Sequence, residues 1–426
     1  MKKVLVLIDS VFPYGHGEPW LEDEQFFYDR FDEVLVFPVE ASDSDEKRET
    51  KNRIVVVKGP VFGKVDLFIC ALKMALSNWF SEEWRFIKNR NRTIAFSLAI
   101  RCIKFLAKSL YDFKWIKKYL VDNGYANDCN ITFYSYWMKS MAFTCLMLKK
   151  SFENSVFVTR CHGIDLYEYR HPYNYIPMRK AILNNVDAVF SISEDGKKYL
   201  FANSFVEDNR LRVSYLGARD YGLQSFDKDK SVKTISILTC SNIVEVKRLD
   251  RLINVLSEFK KNYDGTIIWT HYGDGPLKKF IENMAHSLLD QEIIKFTGGV
   301  SHEELMELIK NDSFDVFINT SDSEGIPVSI MEALSFGIPV IAPDIGGIHE
   351  IINANNGFLI DEKNDVMKYV VALKSIEEMD RKDYLLLRRN ARTSWEEKWN
   401  LNKNYYLFTD ELYNLTSSRL DQRSKH

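Results

Sequence analysis

Ser321-Asp322-Ser323-Glu324-Gly325-Ile326-Pro327-Val328-Ser329-Ile330-Met331-Glu332-Ala333-Leu334-Ser335-Phe336-Gly337-Ile338-Pro339-Val340-Ile341-Ala342 is the stretch whose pattern decides the fold. It follows a short β-branched run ending at Asn319, so a buried strand leads into a polar loop. Pro327 fits the first helical position, where a missing N–H costs nothing, and the helix stops near Gly337 before a second apolar run, Pro339–Ala342. Strand, loop, helix and strand in this order make one unit of a parallel α/β sheet. Glu324 sits at the strand's carboxyl end, where open α/β sheets bind ligands and where the next helix offers unpaired N–H groups to anions. Glu332 lies inside the helix. A carboxylate accepts two hydroxyl hydrogen bonds at once, so the pair suits a polyhydroxylated ligand. Taken alone, two glutamates eight residues apart fit solvated side chains on a surface helix better.

The same alternation extends in both directions. Apolar runs at Thr234–Leu238, Thr266–Thr270 and Ile293–Phe296 precede the strand Val316–Asn319, with helical stretches at Leu249–Tyr263 and Glu303–Lys310 between them. Before a polar stretch, Arg219–Lys233, an earlier series runs through Val4–Ile8, Val34–Val39, Ile54–Val57, Ile131–Tyr134, Val156–Thr159 and Ala188–Ile192. Unbroken runs of this length are what strands buried on both faces look like. We therefore expect an α/β protein of two parallel-sheet domains, residues 1–220 and 221–395, followed by a helical tail, 396–426.

An insertion at residues 62–120 interrupts the first series; its twelve Lys and Arg against four Asp and Glu, with twelve aromatics interleaved, give it a basic, amphipathic character. Arg101, Lys104 and Lys108 share one helical face, which fits either contact with an anionic membrane or a helical cap with a solvated basic face. The net charge of −3 gives no global field for nucleic acid. Six scattered cysteines without a C-x-x-C pair suggest reduced thiols. The apolar run after Met1-Lys2-Lys3 ends at Asp9, too short for an export signal, and no stretch is long and apolar enough to span a bilayer, so a cytoplasmic protein with at most peripheral membrane contact is expected.

The segment Ser321–Ala342 resembles the Glu-x7-Glu signature of glycosyltransferase family 4, from its Glu-Gly-x-Pro opening to its Gly-x-Pro-Val-Ile ending. That resemblance implies the GT-B architecture, two Rossmann-like parallel-sheet domains facing a cleft, with a nucleotide-diphosphate sugar bound by the second. It places Glu324 on the hydroxyls of the transferred sugar, Glu332 on the ribose, and Gly325, Ile326 and Pro327 along the donor. Cys240–Asp250 looks like the family's phosphate loop, with Lys247 on the diphosphate; Asn242 stands at the usual arginine position, so either Arg248 supplies the charge or Asn242 only hydrogen-bonds. Gly273, in His271-Tyr272-Gly273-Asp274-Gly275-Pro276, and Val300, after Phe296-Thr297-Gly298-Gly299, match the family's further donor turns.

In the first half, Phe12-Pro13-Tyr14-Gly15-His16-Gly17-Glu18-Pro19 occupies the place of a glycine loop, so Gly15 and Gly17 are assigned to the donor phosphates. His162-Gly163-Ile164-Asp165 is similar to the family's His-Gly-x-Asp segment, which implies contact between His162 and the transferred sugar. The family pattern implies retention of configuration at the sugar. It also implies a glycan or lipid-linked saccharide acceptor in capsule, exopolysaccharide or O-antigen assembly. No metal and no cofactor beyond the donor are expected: Asp43-Ser44-Asp45 has the D-x-D form but lies in a charged, solvated loop. A catalytically silent GT-B subunit and a nucleotide-sugar epimerase are the alternatives. A nicotinamide dehydrogenase lacks its G-x-G-x-x-G after the first strand.

Overall fold

The structure, a computed structural model, describes the chain except residues 16, 43–44, 52, 61–62, 91–92, 127–128, 204–205, 225–232, 290–292 and 424–426. It divides into two compact units, Met1–Ser214 with Tyr405–His426, and Tyr215–Asn404. The division lies at Ser214, ahead of the polar stretch 219–233, because Tyr215 packs edge-on against Trp399 and Ala218 N–H donates to the Trp399 carbonyl.

The first unit holds a seven-stranded sheet: β1 (Lys2–Asp9), β2 (Glu33–Pro38), β3 (Ile54–Val56), β4 (Cys129–Ser135), β5 (Ser155–Cys161), β6 (Ala188–Ser191) and β7 (Leu211–Val213), ordered β3-β2-β1-β4-β5-β6-β7 with every pairing parallel. β1 shows why its sequence is an unbroken apolar run. Val4, Val6 and Ile8 enter one buried cluster, and Leu5 and Leu7 enter another on the opposite face. The first cluster takes Leu98, Cys102 and Leu106 from the long helix Ala95–Asp122; the second takes Phe408 and Leu412 from the terminal helix Leu401–Arg423. Arg160 of β5 is fully buried with Glu24 at 2.5 Å, and Tyr28 donates to the same carboxylate at 2.7 Å, so the pair is compensated inside the core.

The insertion is helical, built from Lys64–Ala75, Asn78–Arg90 and Ala95–Asp122. Its long helix turns Leu98, Cys102 and Leu106 inward, whereas the helix Lys64–Ala75 leaves Val65, Phe68, Ile69 and Leu72 in solvent, followed by Leu76, which is 89% exposed. No helix among the described residues is long and apolar enough to cross a membrane.

The second unit holds β8 (Thr234–Cys240), β9 (Thr266–Tyr272), β10 (Ile294–Gly298), β11 (Val316–Ile318), β12 (Val340–Pro343) and β13 (Gly357–Ile360), ordered β10-β9-β8-β11-β12-β13 and all parallel. In both sheets the strand order reverses next to the first strand, between β1 and β4 and between β8 and β11. Such a switch point opens a crevice at the carboxyl ends of the strands. The six cysteines are free, and all but Cys240 are buried.

Candidate functional site

The carboxyl ends of β8, β9 and β10 are laced together by their backbones. Ser241 N–H donates to Tyr272 O at 3.1 Å, Ile243 N–H to Asp274 O at 2.8 Å, and Gly273 N–H to Gly298 O at 3.0 Å. Gly273 has φ +146° and lies so close to the neighbouring loop that a Cβ would stand 1.9 Å from Ser241 O, so no side chain is tolerated there. Across the switch point, Gly347 N–H donates to Gly325 O at 2.7 Å, and a Cβ on Gly346 would stand 2.2 Å from Glu324 O. The loop carrying Glu324, Gly325 and the buried Ile326 is therefore held rigidly. Pro327 has an extended backbone and caps the helix Val328–Ser335 from outside, one position earlier than expected, because its ψ of 116° is not helical.

Lys247 and Glu324 meet on this frame. Lys247 Nζ lies 2.7 Å from Glu324 Oε1, and Ser321 Oγ and Asn319 Nδ2 donate to the same oxygen at 2.6 and 3.3 Å. Glu324 is only 9% exposed, so its charge is matched by a cation and two neutral donors. Glu332, equally buried, receives His302 Nε2 at 2.7 Å on Oε1. His302 was not singled out from the sequence. The signal for its place was the capping pattern Ser301-His302-Glu303-Glu304, since Ser301 Oγ accepts from Glu304 N–H at 3.3 Å. Val300 is half-buried just ahead of that cap.

Arg248 does not join the Lys247–Glu324 pair. Its Nη2 lies 2.9 Å from Asp250 and its Nη1 2.9 Å from Asp322, which also takes Arg251 at 2.8 Å. Burial pushes the Asp322 carboxyl up, but hydrogen bonds from Arg251 and Arg248 outweigh it and bring its pKa down to about 2. Arg248 is thus neutralised by two carboxylates, and Lys247 is the cation that faces Glu324. Asn242 is exposed, and its carbonyl accepts from Val244 N–H at 3.0 Å.

In the first unit the loop after β1 closes on its own carboxylate. Glu18 accepts from the N–H groups of Ser10, Val11 and Phe12 at 2.8, 2.9 and 3.0 Å and from Trp137 Nε1 at 2.5 Å. Gly15 N–H donates to Glu46 O, and Gly17 O accepts from Arg48. The N–H groups of Ser10, Val11, Phe12 and Gly15 are thus bonded within the unit, a feature invisible in the spacing of Gly15 and Gly17. Burial and the charge of Glu18 push the adjoining Asp9 carboxyl well above the usual carboxylate range. His162 is buried between the Tyr136 and Trp137 rings, with centroids at 4.8 and 4.3 Å. Asp165 fixes its backbone, accepting from His162 N–H at 2.6 Å, and also accepts from Met138 N–H at 2.7 Å. His16, Asp43 and Ser44 lie outside the described residues, and among the described residues no group of three His, Cys, Asp or Glu could hold a metal.

Two parallel-sheet units with polar loops at their switch points define the fold as that of the GT-B glycosyltransferases. Residues 222–394 match the family described as Glycosyl transferases group 1. The chain is 23% identical over 250 residues to a putative colanic acid biosynthesis glycosyltransferase of Escherichia coli K12, covering 56% of this chain and 59% of that protein. It thus spans about three-fifths of that relative's length. A lipopolysaccharide outer core galactosyltransferase superimposes with a TM-score of 0.67 at 14% identity, covering 98% of this chain and 99% of that one. Anabaena HepE, solved in complex with UDP, gives 0.64 at 16% identity, covering 97% and 100%. Together these likenesses show the GT-B fold, with the family match confined to residues 222–394.

Proposed function

We propose that this protein is a retaining, metal-independent glycosyltransferase of family 4 type. It would carry a sugar from a nucleotide-diphosphate donor to a glycan or lipid-linked saccharide in cytoplasmic polysaccharide assembly. The observation that carries this reading is the Lys247–Glu324 pair at the β8/β11 switch point. A nearly buried carboxylate whose strongest partner is a lysine can exchange that lysine for an incoming diphosphate. Its own oxygens then turn to the sugar hydroxyls. As the bond between the anomeric carbon and the phosphate oxygen breaks, negative charge grows on the leaving diphosphate, and Lys247 with the nearby helix N–H groups stabilises it. The acceptor oxygen bonds to the same face of that carbon, and its proton passes to the leaving phosphate. Neither glutamate is a nucleophile. Glu332 binds the ribose, and His162 contacts the transferred sugar. The names of the colanic acid and lipopolysaccharide relatives support the polysaccharide setting, and the UDP complex supports a nucleotide donor.

An anionic membrane surface is the proposed setting for a lipid-linked acceptor. Phe68 and Leu72 are 63% and 53% exposed, and Lys64 and Lys104 rim a hollow lined by Leu67, Phe68, Ala71 and Ala107. The reading is tested by incubating the protein with UDP-, GDP- and ADP-sugars and candidate saccharide acceptors in excess EDTA and analysing products by mass spectrometry. Transfer with the anomeric configuration kept is expected. Loss of transfer restored by manganese would overturn metal independence, and a changed sugar formed without acceptor would make the protein an epimerase.

A further inference from the structure

His302 stands outside everything assigned above, yet its Nε2 lies 2.7 Å from the Glu332 carboxylate. It begins the helix His302–Asn311, behind the Ser301 cap, and is half exposed at the side chain while Glu332 is nearly buried. Tyr221 meets the His302 ring edge-on at 6.2 Å and stacks on Phe336 at 6.1 Å, so the imidazole is walled on one side. From these contacts we propose that His302 is a positioning residue of the donor site: through Nε2 it fixes the Glu332 carboxylate for the ribose diol, and its positive charge makes nucleotide affinity depend on pH. This rests on the reading of Glu332 as the ribose ligand.

The electrostatics agree with the geometry. The hydrogen bond to Glu332 raises the His302 pKa above its ordinary value against the opposing effect of burial; the charges of Glu332 and Glu303 raise it further, and Arg219 lowers it. Across the same strand end, burial pushes the Cys240 thiol up to about 12, with Glu332 raising it further and Lys247 lowering it, so the charges of Glu332 and Lys247 act on one small region. Glu332 alone would repel an anionic nucleotide; protonated His302 cancels that charge. A carboxylate has lone pairs left for two hydroxyls after accepting one imidazole hydrogen bond. As pH rises through the His302 pKa the neutral ring can still donate to Glu332, but the cancellation is lost. If nucleotide binding raises that pKa by about one unit, affinity falls about tenfold across the transition.

Calorimetry with UDP, GDP and ADP between pH 6 and pH 9 tests this. The terminal phosphate of the nucleotide itself titrates at about pH 6, so the comparison between variants reads His302. His302→Gln keeps a donor for Glu332 without the charge: it should bind about tenfold more weakly than wild type at pH 6 and equally at pH 9. His302→Ala should bind more weakly at both, and kcat at saturating donor should hold in each. The imidazole signal missing from the proton NMR spectrum of His302→Gln identifies His302, and Glu332→Gln should lower its pKa. Parallel pH curves for wild type and His302→Gln, or an unmoved His302 pKa in Glu332→Gln, would overturn the proposal. The underlying reading fails separately, if Glu332→Gln leaves nucleotide affinity intact or if wild type binds none of the three nucleotides.

Discussion

The two sheets reverse their strand order at equivalent places, after β1 and after β8, yet the loops there handle negative charge in opposite ways. After β1, the Glu18 carboxylate is bound by three backbone N–H groups and the Trp137 indole of its own unit. After β8 the loop instead carries a cation, Lys247, which holds Glu324 of the loop after β11. A carboxylate wrapped in backbone N–H groups is a permanent part of the wall. One held by a half-buried lysine can trade its partner. The first loop therefore has no vacant cradle among the N–H groups of Ser10, Val11 and Phe12, whereas the second offers a cation that an incoming phosphate can recruit.

Removing the exchangeable cation should have the largest effect. Lys247→Ala is expected to lower kcat by about 3–4 kcal/mol, a few hundred-fold, because it faces charge that grows in the transition state. Steady-state kinetics with the full donor measure it, and turnover near wild type would erase the contrast between the loops. Glu18→Ala attacks the other side. Three N–H groups lose their acceptor, so stability should fall by about 1–3 kcal/mol in chemical denaturation of the whole chain. An unmoved midpoint would mean that the loop does not depend on its internal carboxylate.

The comparison sharpens within the second unit. Glu332→Gln should weaken nucleoside diphosphate binding by about 1 kcal/mol, since the ribose is bound alike in ground and transition states, and the loss should appear in KM. Glu324→Gln should leave diphosphate affinity nearly intact and reduce kcat. Equal losses of diphosphate affinity in the two variants would remove the distinction between sugar and ribose ligands. The smallest effect belongs to the exposed face of the first unit. Lys104→Gln should weaken sedimentation with liposomes containing phosphatidylserine by about 1 kcal/mol, and high salt should abolish the difference. Equal binding of both proteins to neutral liposomes would dismiss the electrostatic role.

The strands were legible where burial on both faces forces an unbroken apolar run, as in β1, β2, β4 and β5. β7 and β13 were not read from the sequence. Each is a short edge strand, and Arg212 and Gly357 break the apolar pattern. In the insertion, helical character was readable, but the sequence singled out the face of Arg101, Lys104 and Lys108. The folded chain buries Leu98, Cys102 and Leu106, which fall away from that face, and leaves the apolar residues of Lys64–Ala75 in solvent, which the sequence did not reveal.

By itself the sequence determined the parallel α/β class and which polar residues the loops carry, because strand burial, helix caps and glycine turns depend on neighbours a few residues apart. Which charges meet was decided only by tertiary structure. Lys247 and Glu324 are 77 residues apart, Arg248 and Asp322 are 74 apart, and His302 and Glu332 are 30 apart. Of two adjacent cations, Lys247 was left facing Glu324 and Arg248 was turned onto Asp250 and Asp322. The left-handed backbone at Arg248, φ +51°, starts a helix and sends the two side chains to different partners. A sequence pattern records both residues as basic. Only the direction of the chain through that turn separates the exchangeable charge from the structural one.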